Sequence, residues 1–231
     1  MRVRVATTAL GITATLLALP SCSTHTTGAK HHTTSSARTG KPTDAARKAA
    51  VLSPATLETR LLDENDLGSG YLHKPERPAQ HDDVTIVGCP ALSKLGGDAA
   101  TGGTLAFPRK AKATFTYGGG SSEVSEELYS ASANKLSEDI DRIFDAMTGC
   151  PTYQVVAGGT PIDMASQKLP APRELGDEQW SQLLTFSTGG RSTVVEQTAI
   201  RDGSLLLVLS GSPTLVDRHL GKALAKATAA N

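Results

Sequence analysis

The stretch RSTVVEQTAIRDGSLLLVLS, residues 191–210, decides the fold. Two runs rich in Val, Thr, Ile and Leu, Arg191–Arg201 and Ser204–Ser210, flank Asp202-Gly203. Asp-Gly supplies the positive φ that a tight two-residue hairpin turn requires, so the runs predict two antiparallel strands joined directly. Leu205 to Leu209 is apolar without alternation, which predicts a strand covered on both faces.

Working outward, Gln179–Ser187 reads as a further strand, set off from Arg191 by Gly189-Gly190. Tyr153, Val155 and Ala157 alternate along the chain, Gly158-Gly159 turns it, and Ile162–Lys168 returns. Leu169-Pro170-Ala171-Pro172 is a stiff connector. Earlier, Ala113, Phe115 and Tyr117 form one face against Lys112, Thr114 and Thr116, and Glu123–Ser130 follows with Val124 and Leu128 on one side. Between them Gly118-Gly119-Gly120 is a break, not a phosphate loop, since no Gly-Lys-Ser/Thr follows. Val84–Val87 is a short apolar run ahead of Gly88-Cys89-Pro90, with Leu92 and Leu95 on one helical turn.

Helical periodicity marks three segments. From Ala131 to Thr148, Leu136, Ile140, Ile143, Phe144 and Met147 make a single stripe, with Glu138, Asp139, Asp141, Arg142 and Asp145 on a solvated face. Pro213 opens a closing helix with Leu215, Val216, Leu220, Leu224 and Ala227 inward. Ser53-Pro54 starts a first helix through Leu57, Leu61 and Leu62, ending at Asp66-Leu67-Gly68; from Tyr71 the chain reads as a connection, with a loop from Lys74 to Pro78. Antiparallel runs with segregated helices predict an α+β fold, a single antiparallel β-sheet with helices packed against it.

The amino terminus carries a different message. Arg2 and Arg4 precede an apolar run, Val5 to Leu19, that leads into Leu19-Pro20-Ser21-Cys22. Residues 1–21 read as a secretory signal peptide. The fifteen residues of the run span roughly 22 Å as a helix, short of the roughly 30 Å of a bilayer core. The Cys after the break resembles the lipobox of bacterial lipoproteins, though Pro20 stands where Ala, Ser, Thr or Gly is commoner. That resemblance implies a diacylglyceryl group on Cys22 and a cell-membrane location on the extracytoplasmic face. Residues 22–52, rich in Thr, Ser and Lys and including His25, His31 and His32, form a flexible tether with a root-mean-square span of roughly 30 Å. The domain proper is 53–231.

Export permits disulfides, and with Cys22 lipidated Cys89 and Cys150 pair most simply with each other. Two free or metal-binding thiols are the competing reading, but no nearby Cys or His completes a zinc set. The formal net charge of the whole chain is zero, yet from Val51 onward 16 Lys and Arg face 22 Asp and Glu. An acidic domain is a poor partner for phosphates, which excludes nucleic acid.

The motifs Leu61-Leu62-Asp63, Asp66-Leu67-Gly68, Tyr71, Gly88-Cys89-Pro90, Gly149-Cys150-Pro151 and Leu175-Gly176-Asp177-Glu178 form a recognisable layout. It resembles the actinobacterial cell-envelope lipoproteins that share the extracellular sensor domain of PknH-type receptor serine/threonine kinases, over residues 53–229. The resemblance implies an α+β domain with a central antiparallel sheet, a cleft, and binding of a small molecule or envelope component. The kinase sensor is expected to have two disulfides, whereas this chain offers one pair. It carries no kinase motif.

No catalytic constellation stands out. His73, His81 and His219 are scattered, there is no Gly-x-Ser-x-Gly elbow, and the acids Asp82-Asp83 and Asp177-Glu178 read as solvated loop residues. The expectation is a non-enzymatic module without a cofactor or metal. Its ligand would be a small molecule or an envelope lipid or glycan. Of the amphipathic rings, Tyr71 and Trp180 are the candidates for a ligand cleft, with Tyr117 and Tyr153 behind them. An envelope protein partner is the second class of function, predicting a flat interaction patch.

Overall fold

The computed structural model describes residues 48, 50–76, 84–96, 107–120, 122–170 and 175–229. All of these fall in one compact unit, Lys41–Asn231. The signal peptide, Cys22, His25, His31, His32, His81 and Asp82-Asp83 lie outside the described residues.

Among the described residues, nine strands form one antiparallel sheet: β1 Tyr71–His73, β2 Val84–Val87, β3 Lys110–Tyr117, β4 Ser122–Ser130, β5 Thr152–Ala157, β6 Thr160–Lys168, β7 Glu178–Thr188, β8 Arg191–Asp202 and β9 Leu205–Gly211. Their spatial order is β1-β3-β4-β9-β8-β7-β6-β5-β2. A five-strand meander, β5 to β9, therefore folds back until β9 lies beside β4, with Leu128 opposite Leu207. The described helices are α1 Pro54–Glu58, α2 Glu64–Leu67, α3 Pro90–Leu95, α4 Ala133–Thr148 and α5 Pro213–Thr228. The expected α+β class is the observed one. None of these helices is long and apolar enough to cross a membrane.

Strand β9 shows why its sequence lacks alternation. Leu205, Leu207 and Leu209 pack into one core with Leu215, Val216 and Leu220 of α5. Leu206 and Val208 point the other way, to Leu136, Ile140 and Phe144 of α4. A third cluster joins α3 and the end of α4 to β5–β7 through Leu92, Met147, Tyr153, Met164 and Leu184. Within it Cys89 and Cys150 are bonded, with Cα atoms 5.8 Å apart. The bridge ties the end of α4 to the start of α3.

Three local readings change. The first helix is two: α1 stops at Glu58, and Asp63 caps α2 by accepting from the Asn65 and Asp66 amides while the Asp66 side chain accepts the Asp63 N–H. A reciprocal capping box restarts a helix where spacing alone suggested continuation. Residues 71–73, read as connection, form β1 against Tyr117–Phe115. The β8–β9 turn residues are Gly203-Ser204, because Asp202 pairs with Leu205.

That one-residue shift has a cause. The Ser204 amide donates to Lys48 O at 2.8 Å, and its hydroxyl donates to Ala50 O at 2.5 Å. The Leu52 amide donates to Ser130 Oγ at 2.9 Å. Lys48, Ala50 and Leu52, read as the end of the tether, thus lie against the hairpin and the strand beside it. Asp177-Glu178 belong to the same clamp rather than to solvent alone. Asp177 accepts from the Gly203 amide at 2.8 Å, Glu178 pairs with Arg201 at 2.7 Å, and Lys48 reaches Asp202 at 2.5 Å. The Gly203 amide, and then Lys48 and Arg201, hold the Asp177 carboxyl below its ordinary pKa.

Candidate functional site

A groove of about 570 Å³ opens between α1–α2 and strand β3. Size alone places it in the range of small-molecule pockets. Leu61, Leu62, Ala113 and Phe115 supply its apolar surface, and Glu58, Asp63, Glu64, His73, Lys112 and Lys226 its polar one. Each element contributes for a local reason. The break between α1 and α2 exposes Leu61, while the Leu62 side chain turns into the core. Strand β1 ends at His73, so the wall beyond it is left to β3.

The lip is held by α5. Lys226 binds Asp63 at 3.1 Å and also Asp66, Lys222 donates to Asp66 O, and Arg60 Nη1 donates to Ala227 O at 2.8 Å. Lys112 points to the reverse face of the sheet, where its ammonium meets Glu127 Oε1 at 2.6 Å. The backbone N–H of His73 donates to Glu64 Oε1 at 2.7 Å.

Behind the Leu62 wall lies Glu126, on β4 opposite Ala113. It is 1% exposed. One carboxyl oxygen, Oε2, accepts the Leu62 N–H at 2.6 Å, and Oε1 has no partner among the described residues. Burial pushes its pKa up to about 8, against the lowering effect of the Leu62 hydrogen bond and of Lys226. At neutral pH the carboxyl is therefore protonated, and its polarity is incompletely used. Sequence reading passed over Glu126 because Ser125–Glu126–Glu127 is a run of three consecutive polar residues. The available signal was the parity of Val124 and Leu128, which puts Glu126 on the inward face.

Tyr71 and Trp180 do not meet. Tyr71 is buried beside this groove, on the α5 side of the sheet, its hydroxyl 2.6 Å from His219 Nε2 and its ring 4.5 Å from that of Tyr117. Burial, with Arg218 and Lys222 adding to it, lowers the His219 pKa and so disfavours the imidazolium beside the tyrosine hydroxyl. Trp180 lies on the opposite face, against Phe144 at 6.5 Å, and donates Nε1–H to Asp141 at 2.5 Å. It fastens β7 to α4. Tyr153 is buried in the cluster at the disulfide, which pushes its phenol up to about 12. Among the described residues no three His, Cys, Asp or Glu side chains gather as a metal site.

In fold, the chain is similar to the extracellular domain of PknH from Mycobacterium tuberculosis. The TM-score is 0.56 over 78% of this chain and 96% of that one, at 13% identity. A weaker likeness, with a TM-score of 0.40 and 9% identity, covers 79% of this chain and 98% of an uncharacterised protein from Mycobacterium smegmatis. No protein-family model matches the chain, and no curated protein matches it by sequence. What is shared is the architecture of a PknH-like extracellular domain.

Proposed function

We propose that this chain is a lipid-anchored, extracytoplasmic, sensor-like module that binds a small molecule or envelope component without transforming it. The observation that carries the reading is the α1–α2/β3 groove, an apolar-floored cavity backed by a buried carboxyl with an unused oxygen. The likeness to an extracellular domain supports an outward-facing location, and the Leu19-Pro20-Ser21-Cys22 motif supports the anchor. Native mass spectrometry of the protein extracted from its own envelope tests the binding. A retained small molecule is expected; bare protein alone, with no thermal shift on adding envelope lipids or glycans, speaks against the reading. Cys22→Ala is expected to release the protein from the membrane fraction, and undiminished retention would defeat the anchor.

A protein-interaction role rests on a different surface. Helix α5 lies over β4, β8 and β9, and on that side Gln154, Val156, Asp163, Ala165, Leu183 and Thr185 of β5–β7 are left partly or fully exposed. Cross-linking in intact cells from positions 156 and 165 would capture a protein neighbour if this second role holds.

A further inference from the structure

The two faces of the sheet are covered unequally. On one face of β5–β7, Val155, Met164 and Leu184 pack with Leu92 of α3 and Met147 of α4. On the other face α5 lies over β4, β9 and β8, and β7, β6, β5 and β2 beyond it present side chains to solvent. The register sets Val87, Gln154 and Asp163 in one row across that face and Ala165, Thr185 and Val194 in the next. Asp163 is the one charge in the two rows, and Gln154 Nε2 donates to it at 2.9 Å. Glu196, where the face meets α5, is buried.

Both edges of the sheet are engaged locally. The His73 amide of β1 donates to Glu64 at 2.7 Å, and the Ile86 carbonyl of β2 accepts from Ser93 Oγ at 3.1 Å. Edge groups held in this way do not template a further strand, which leaves the open face for a partner. Charge narrows the choice. A strongly charged partner finds nothing to pair with in the two rows. From Val51 onward 16 Lys and Arg face 22 Asp and Glu, so copies of the domain repel over their acidic surfaces. The uncharged face lets them meet without an unpaired charge.

We propose that this face is a self-association surface, on which two copies pack sheet to sheet about a two-fold axis running along β6. The inference rests on the protein-interaction reading above and names its partner. In the order β8-β7-β6-β5-β2, β6 is central, so the axis sets β2 of one copy over β8 of the other. Val87 and Val194, 51% and 44% exposed at opposite borders, then cover each other twice, the isologous contact of a closed dimer. Small and β-branched side chains let facing sheets approach to about 10 Å. Strands about 4.8 Å apart, over a length of about five residues, give roughly 500 Å² per copy and roughly 1,000 Å² for the pair, the lower limit of a specific interface. The dimer is therefore weak in solution, and confining both copies to one membrane surface by the proposed anchor would populate it. The groove at β3 lies on the other side of α5 and is left clear of the contact.

Sedimentation equilibrium on the full chain carrying Cys22→Ala, which leaves no lipid to associate, tests this. A monomer–dimer equilibrium with a dissociation constant on the order of 100 μM is expected, tightening as salt screens the acidic surfaces. Val87→Lys with Val194→Lys, both at exposed positions that spare the fold, sets like charges against each other and should weaken the dimer about tenfold. Val87→Lys with Val194→Glu sets opposite charges together and should restore the dimer, which then loosens with salt. A dimer untouched in the double-lysine variant is made elsewhere and overturns the proposal, as does a lysine–glutamate variant no better than the double-lysine one. A monomer at millimolar concentration also overturns it. Cross-links from positions 156 and 165 to a different protein would then keep the interaction reading, and none would remove both.

Discussion

Glu126 is the residue on which stability and site chemistry meet. Its carboxyl titrates near 4.5 when unperturbed and near 8 in the fold. Between those values the folded state binds more protons than the unfolded chain, so stability falls as pH rises. The contribution is whole below about 4.5 and gone above about 8, a swing of the order of 5 kcal/mol. Glu126→Gln keeps the shape and the acceptor for Leu62 but does not titrate. Urea unfolding at pH 4, 7 and 9 should show the two proteins alike in acid and the variant increasingly the more stable as pH rises. Parallel pH profiles would mean that the carboxyl is ionised in the folded state.

At the scale of elements, the β8–β9 hairpin and the segment carrying Lys48, Ala50 and Leu52 behave as one unit. Gly203 has φ +62°, and a Cβ there would sit 2.2 Å from Lys48 O. Gly203→Ala therefore meets two penalties, left-handed backbone and a clash with the segment lying on the turn. A loss of about 2–4 kcal/mol is expected, read from the urea midpoint. Gly189→Ala, in the β7–β8 turn at φ +55° with open space around it, should cost only the backbone part, about 1 kcal/mol. Equal losses at the two glycines would show that the segment does not bear on the turn. Sequence reading placed this hairpin one residue out because Ser204 is committed to Lys48 and Ala50, residues more than 150 positions away. The helix stripes of α4 and α5, by contrast, were legible outright. Each is long enough for periodicity to outweigh any single tertiary contact.

For the whole molecule, the Cys89–Cys150 bridge closes a loop with a sequence separation of 61. Replacing both cysteines by alanine should cost about 4 kcal/mol on the chain-entropy account. The loss should be visible as a lower melting temperature, and reduction of the native protein should reproduce it. An unchanged melting temperature would show that the α3–α4 corner is held by packing of Leu92, Met147 and Tyr153 alone.

What the residues determined by themselves is what depends on local chemistry. Alternation and its absence marked the strands, apolar stripes marked the long helices, and glycine pairs marked the turns at 158–159 and 189–190. The cysteine count left one pairing inside the domain. Tertiary structure decided what depends on distant partners. It set β9 beside β4, split the first helix at Asp63, and laid Tyr71 and Trp180 on opposite faces of the sheet. It also buried Glu126 behind Leu62 and so defined the groove. Period-two reading tells which face a residue occupies, but which helix covers that face is settled only when strands far apart in the chain close into one sheet.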